Sequence, residues 1–392
     1  MLTSILQSER GLSESSRSIT NAVVADRRLH YDAFMPEAIA GFDIGGTKIA
    51  LSIATPDGRA LHRAVQPTNR HASDSIEEQA DYRVYHGLAL QLISMLCEAL
   101  EETQISAIQA IGVVSAGPIR GGLLISPPNI VPAALESAPR RPLHIPIVSP
   151  LLERFSCPVS LLNDCNGAVL GEVYYGFGRN TDDKSLLHLA YATISTGFGA
   201  GAWDGGLILG KDGNAGELGH IPVRIGGLRC GCGNLGCVEA YASGTGLVSN
   251  AKARLLALDT SMRERSALVG LLADGEEEKE PLDVRLLTSR LTPSLLFDAA
   301  DRGDPLAREV IAEAIFAAGV AFSVIANAYD PTVILVGGGI ALGHPELLDG
   351  IRSEMLEHLN VAAPRVEMTS LGASVTERGA VALAQSLLPG GN

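Results

Sequence analysis

Three cysteines and a histidine carry the most specific chemical signal in this chain. His220 is followed by Cys230-Gly-Cys232-Gly-Asn-Leu-Gly-Cys237, so one imidazole and three thiols fall within eighteen residues. That set can close a tetrahedral Cys3His site around zinc, and the glycines let so short a loop wrap an ion. A closed site leaves no position for water, so its role would be structural. The alternative is free thiols in a loop beside an unrelated histidine. Three of the six cysteines lie within eight residues, which favours the metal.

A second group of residues suits phosphate. Gly45-Gly46-Thr47-Lys48 offers bare backbone N–H groups, a hydroxyl and a cation. Thr196-Gly197 repeats the theme, and Gly337-Gly338-Gly339 would let a flat or anionic ligand approach a helix start. Taken singly each is weak, since a glycine hairpin is more often merely a turn. No G-x-x-x-x-G-K-[ST] pattern occurs, which excludes a P-loop protein. The G-x-G-x-x-G match at Gly231 to Gly236 is interleaved with cysteines and follows no long buried strand, so it is not read as a dinucleotide site.

Phosphoryl transfer to an alcohol also needs a base. Asp164 sits just past an apolar run, where open α/β folds place their ligands, and a carboxylate there could accept a hydroxyl proton. The same position would suit an Asx turn or a helix N-cap. Glu217, His220 and Glu239 flank the cysteine loop and have the hydrogen-bonding groups that sugar hydroxyls require. Cys165 has no histidine close in sequence and reads as a small buried residue rather than a nucleophile.

The elements that must position these groups follow from the pattern. Ala38 to Asp43 and Ile49 to Ala54 are apolar runs around the first glycine turn, which predicts a hairpin. Helical spacing covers Tyr85 to Leu100, strands cover Ala110 to Ser115 and Val159 to Leu162, and a helix is predicted over Ala168 to Tyr175. Leu187 to Ile194 opens a second hairpin, with Ala202-Trp203 beginning its return strand. Two glycine hairpins about 150 residues apart suggest an internal duplication. Residues 245–329 read as helices, 331–336 as a strand, and 375–388 as a closing helix. The charge run from Asp274 to Glu280 predicts a solvated loop, and the polar stretch before residue 38 a loosely attached extension.

Composition removes several function classes. In 392 residues the net charge is −14, which disfavours a nucleic-acid or anionic-membrane binder. Apolar residues at 46% are enough for a sizeable core, so extensive disorder is not expected. No run of 18 apolar residues occurs; the nearest, Ala314 to Ala328, is broken by Ser323 and Asn327 and reads as a core helix. Six cysteines and no signal-peptide pattern point to a reducing cytoplasm.

Taken in order, the motifs resemble the ROK family (repressors, open reading frames and sugar kinases), of the actin-like, hexokinase-type ATPase fold. They are Phe42-Asp-Ile-Gly-Gly-Thr-Lys48, Leu162-Asn-Asp-Cys-Asn166, Ser195-Thr-Gly-Phe-Gly-Ala-Gly201, Gly216-Glu-Leu-Gly-His220, Cys230 to Glu239, and Val336-Gly-Gly-Gly339. The resemblance covers roughly residues 38–390. It implies a two-lobed, ribonuclease H-like α/β fold with a duplicated βββαβα core and a structural zinc loop. The small lobe would span 38–167 plus 376–392, the large lobe 168–375, and residues 1–37 would be an extension outside the pattern.

The resemblance also implies roles. Asp164 would be the catalytic base, and Asn129, Asn163, Glu217, His220 and Glu239 would hold the sugar. Gly45, Gly46, Thr47, Lys48, Thr196 and Gly197 would lie against the ATP phosphates, Asp43 near magnesium, and Gly338 and Gly339 beside the adenosine. His220, Cys230, Cys232 and Cys237 would bind zinc. The expected activity is an ATP-dependent hexose kinase acting on the 6-hydroxyl, glucose first, with N-acetylmannosamine or N-acetylglucosamine next and fructose third; polyphosphate is the alternative donor. A homodimer or homotetramer is expected. The family's repressors carry a winged helix-turn-helix ahead of the first glycine motif. Only 42 residues precede Asp43 here, with no such pattern. Asp164, Thr47 and Thr196 argue against a catalytically inactive sugar sensor.

Overall fold

The computed structural model describes residues 37–70, 75–127, 130, 132, 135, 141–273 and 288–390. The expected extension before residue 37, the charge run 274–280 and Asn129 lie outside these residues.

Two mixed sheets form the frame. The first contains β1 (Ala38–Ile44), β2 (Lys48–Ala54), β3 (Ala60–Pro67), β4 (Ile108–Ser115) and β5 (Val159–Asn163), in the spatial order β5-β4-β1-β2-β3. β1, β4 and β5 are parallel, while β2 and β3 fold back antiparallel. The second contains β6 (His188–Ile194), β7 (Phe198–Asp204), β8 (Val333–Gly337) and β9 (Arg365–Met368), in the order β7-β6-β8-β9. Order and sense repeat those of the first sheet, with no counterpart of β3 among the described residues. A third, small sheet joins Ile119–Arg120, Leu123–Ile125 and Leu143–Pro146 to two short strands near residues 76–85.

Burial explains which strands lie where. β1 and β8 are almost wholly buried and read as continuous apolar runs, as central parallel strands must. β3 alternates between exposed and half-buried residues and closes one edge of the first sheet. Helix α1 (Gly87–Thr103) turns Leu88, Leu92, Met95, Leu96 and Ala99 toward the core of the first sheet and stops at Gln104 in the left-handed conformation. Helix α2 (Val148–Phe155) leads into β5.

Helix α3 (Asp164–Tyr174) begins directly after β5, four residues earlier than the sequence pattern predicts, because Asn163 caps it by accepting from the Cys165 N–H. It has no polar face: every residue from Cys165 to Val173 is buried. Helix α4 (Gly244–Ala257), the segments Ala267–Ala273 and Pro293–Asp301, and helix α5 (Pro305–Tyr329) build the core beside the second sheet. Among the described residues α5 is the one helix long and apolar enough to cross a membrane. Its Ala317, Ala318, Ala321, Phe322 and Ile325 pack in the core, with the Phe322 ring 6.5 Å from that of Phe198. After β8 come α6 (Gly339–Gly343) and α7 (Leu347–Leu356), and α8 (Val375–Ser386) closes the chain.

Helix α8 packs on the first sheet. A Cβ on Gly41 of β1 would sit 2.8 Å from the Val381 nitrogen, and one on Gly112 of β4 only 2.1 Å from the Ala380 carbonyl oxygen. Helix α8 also crosses α3 at Gly167, Gly171 and Gly379, where no side chain intervenes. A Cβ on Gly379 would lie 1.8 Å from the Gly167 carbonyl oxygen. Gly379→Ala should therefore cost about 1–3 kcal/mol or more, because backbone must move rather than a side chain tip. Gly270, in the helix Ala267–Ala273, has open space around it, and Gly270→Ala should be neutral or stabilising by up to about 1 kcal/mol. Denaturant midpoints of the two variants check the contrast; equal effects would mean the α3–α8 contact is not close-packed.

Candidate active site

The carboxyl ends of the parallel strands coincide. In the first sheet Ile44, Ser115 and Asn163 are directly paired across β1, β4 and β5. The first glycine turn and Asp164 therefore leave the sheet at the same edge, two strand spacings apart, or about 10 Å. In the second sheet Thr193 pairs with Gly337, so the turn Ser195-Thr196-Gly197 and the pair Gly338-Gly339 share an edge as well. Ligands of open α/β sheets bind at such edges.

Both turns keep unpaired donors. The Gly45 N–H donates to the Lys48 carbonyl (2.9 Å), and Thr68 grips the turn from outside, its hydroxyl donating to the Gly45 carbonyl (2.7 Å) and its N–H to the Thr47 carbonyl (3.0 Å). The N–H groups of Gly46 and Thr47 make no hydrogen bond among the described residues, and Thr47 and Lys48 are exposed. The second turn is held likewise by the start of α4. The Gly244 N–H donates to the Ser195 carbonyl (2.8 Å) and the Thr245 hydroxyl to the Thr196 carbonyl (3.0 Å). Again the N–H groups of Thr196 and Gly197 are unpaired among the described residues. Gly338 adopts φ +92°, and a Cβ there would meet the Ile194 carbonyl oxygen and the Thr193 hydroxyl at 2.5 Å. Only glycine lets this strand end lie so close to the turn.

The return strand begins at Phe198, not at Ala202, so Gly199 and Gly201 belong to β7. Their missing side chains make room for α3. A Cβ on Gly199 would lie 2.5 Å from the Cys165 sulfur, and one on Gly201 would lie 2.9 Å from Asn166 Oδ1. Cys165 is accordingly a buried packing residue, its thiol pushed far up by desolvation and by neighbouring carboxylates.

Asp164 occupies the first turn of α3, next to the capping Asn163. Its Oδ1 accepts from the Cys165 N–H (2.8 Å), a donor shared with Asn163 Oδ1 (2.8 Å). Desolvation raises its carboxyl above the ordinary aspartate value, the backbone hydrogen bond offsetting this in part. Asp43, at the end of β1, is pushed up to about 6, first by desolvation and then by the charges of Asp164 and Glu377; the Thr376 hydroxyl, which donates to Asp43 Oδ2, and Lys48 pull the other way. Glu217 is raised by desolvation and by Asp164 and Glu239, against the pull of His220. These mutual effects bring Asp43, Asp164, Glu217 and Glu239 into one electrostatic neighbourhood.

The cysteine loop lies beside it. The donor atoms of His220, Cys230, Cys232 and Cys237 all fall within 4.8 Å of one another. His220 Nδ1 is 3.7 Å from Cys230 Sγ, and Cys232 Sγ is 3.8 Å from Cys237 Sγ. A tetrahedral ion with metal–sulfur bonds of about 2.3 Å has edges of about 3.8 Å, so four such donors suit an ion of that size. His220 turns Nδ1 inward, which leaves Nε2 facing Glu217 Oε2 at 3.8 Å. Glu239 links the loop to the second turn: the Phe198 N–H donates to its Oε2 (3.2 Å), and its Oε1 lies 3.7 Å from Cys230 Sγ.

The ROK family model matches residues 39–387, nearly the whole described chain. The chain belongs to the ROK family. A glucokinase of Pyrobaculum calidifontis is 32% identical over 70% of this ROK protein and 78% of its own length. An N-acetylmannosamine kinase of Shigella flexneri is 33% identical over 56% of this chain and 66% of its own. The crystal structure of a ROK glucokinase from Streptomyces griseus with glucose and AMPPNP superposes with a TM-score of 0.64 at 29% identity, covering 89% of this chain and 99% of that one.

Some site neighbours of this ROK protein carry no sequence signal. Thr376 and Glu377 look like any helix start, yet Thr376 donates to Asp43, and Glu377 holds Arg63 of β3 through two hydrogen bonds (2.8 and 2.6 Å). Removing the Thr376 hydroxyl withdraws a contact that favours ionised Asp43. Thr376→Val should therefore move the Asp43 pKa further above about 6, so the carboxyl stays protonated to higher pH. Carboxyl carbon NMR titration of wild type and variant tests this, and an unchanged or lower midpoint would refute it.

Proposed function

We propose that the protein is an ATP-dependent hexose kinase that moves the γ-phosphate to a sugar 6-hydroxyl, glucose first, with Asp164 as the base. The observation that carries this reading is the setting of Asp164. It is a desolvated carboxylate in the first turn of α3, at the carboxyl edge of the first sheet, held in place by its hydrogen bond from the Cys165 N–H and suited to accept a hydroxyl proton. The two strand edges with their bare N–H turns are the complementary half. Gly45, Gly46, Thr47 and Lys48 on one side, and Thr196 and Gly197 on the other, would face the phosphates, with Gly338 and Gly339 beside the adenosine. Phosphoryl transfer is mainly positioning and charge stabilisation, so one base and two such turns are a sufficient set.

Asn163, Glu217, His220 and Glu239 would hold the sugar, with Asn129 as a further contact. Asp43 is the residue suited to hold magnesium beside the phosphates, where a divalent ion would neutralise charge on the transferred group. The zinc assignment for His220, Cys230, Cys232 and Cys237 rests on donor chemistry and spacing, and the ion's part would be to stiffen the loop that aims Glu217 and His220. The lobes would be 38–167 plus 376–392 and 168–375, a division supported by the packing of α8 on the first sheet. The likeness to an N-acetylmannosamine kinase supports one alternative substrate, decided by loop shape between residues 117 and 150.

A base works only when ionised. Activity should fall as pH drops through the Asp164 pKa, and that acid limb should lie above the ordinary aspartate value of 3.8. Asp164→Asn should keep sugar binding and lose about 10²- to 10⁴-fold in kcat. Near-normal turnover in the variant would remove Asp164 as the base.

Cys232→Ser should lower zinc content and melting temperature together, because metal binding couples to folding. Elemental analysis and thermal unfolding of the same preparation test this. Wild-type protein that is active and contains no zinc would refute the metal assignment.

A further inference from the structure

The loop from Gly205 to Gly216, between β7 and Glu217, reaches across to the other side of the site. Asn214 makes the crossing. Its Oδ1 accepts from the Ile119 N–H (2.7 Å) and its Nδ2 donates to the Ile119 carbonyl (2.8 Å), so both backbone groups of one residue are satisfied by one amide. An N–H needs an acceptor and a carbonyl needs a donor, so the amide orientation is fixed by its partners.

The two ends of this contact are far apart in sequence but adjacent to the groups that would hold sugar. Ile119 is buried and opens the hairpin Ile119–Arg120 and Leu123–Ile125, which runs into Ser126 and Pro127. Asn214 stands three residues before Glu217. The next residue back is also tied, since Asn166 Nδ2, from the first turn of α3, approaches the Gly213 carbonyl at 3.4 Å.

We propose that Asn214 is a positioning residue that clasps the loop carrying Glu217 to the hairpin at Ile119, so that the two sides of the sugar site are held in register. The proposal rests on the hexose-kinase reading. Asn214 need not touch sugar or nucleotide. Its effect would fall on sugar affinity, while the phosphate turns and Asp164 keep their own supports.

Two variants separate this from space filling. Asn214→Ala removes both hydrogen bonds. Asn214→Asp keeps shape and one acceptor, but sets an oxygen against the Ile119 carbonyl. The expected result is a rise of about tenfold in the sugar KM for Asn214→Ala, at least as large for Asn214→Asp, with the KM for Mg-ATP within about twofold of wild type. Hydrogen exchange should accelerate at the Ile119–Ile125 hairpin as well as in the 205–216 loop. Circular dichroism confirms that both variants are folded.

An Asn214→Asp protein with wild-type sugar KM would overturn the clasp, because the isosteric side chain would then suffice. So would faster exchange confined to the 205–216 loop. A wild-type protein that neither binds nor phosphorylates any hexose would overturn the kinase reading, and the clasp with it. Wild-type turnover with unaltered variants would overturn the clasp alone.

Discussion

Two helices that meet backbone to backbone hold the structure in register. Helices α3 and α8 cross at Gly167, Gly171 and Gly379, and both also lean on the first sheet, where Gly167 packs against Val114 and α8 covers Gly41 and Gly112. Helix α3 reaches the second sheet on its other side through Gly199 and Gly201. The glycines convert side-chain volume into close approach, which leaves little freedom to slide. Both helices also begin at the candidate site. The first turn of α3 carries Asp164, and the first turn of α8 carries Thr376 against Asp43. Fixing the helix crossing thus fixes two carboxylates relative to each other and to both sheets.

A buried carboxylate reinforces the same joint. Glu172, fully buried near the far end of α3, accepts from the Phe177 N–H (3.0 Å) and from the Thr369 hydroxyl just beyond β9. Both of its carboxyl oxygens thus find donors, and α3 is tied to the second sheet at both ends. Around the site, supports are arranged from outside inward. Thr68 and Thr245 hold the carbonyls of the two glycine turns, which leaves N–H groups of those turns unpaired. Glu239 joins the second turn to the cysteine loop. Both candidate edges are thus built on rigid backing, as efficient positioning would require.

Local signals were the legible ones. The two hairpins stand out because a glycine turn between apolar runs is decided within fifteen residues. The Cys–His cluster is legible because its four donors span only eighteen positions. Local pattern misleads where tertiary packing sets the need for glycine. Gly199 and Gly201 read as turn residues, yet they lie inside β7 because Cys165 and Asn166 press against it. The hydrophobic pattern places the start of α3 four residues late because its buried, Gly-containing first turns lack an amphipathic period. The contact of Thr376 with Asp43, across 333 positions, and that of Asn214 with the Ile119 backbone have no pattern in sequence at all.

Everything proposed for the site turns on one reaction, the transfer of phosphate from ATP to a hexose by the two glycine edges and Asp164. Its most direct test is phosphorus NMR of the products formed with Mg-ATP and each of glucose, N-acetylmannosamine, N-acetylglucosamine, mannose and fructose. A sugar 6-phosphate and stoichiometric ADP are expected with at least one of them, glucose foremost. Binding of these sugars with no phosphosugar from any would contradict it and leave a sensor built on the kinase frame.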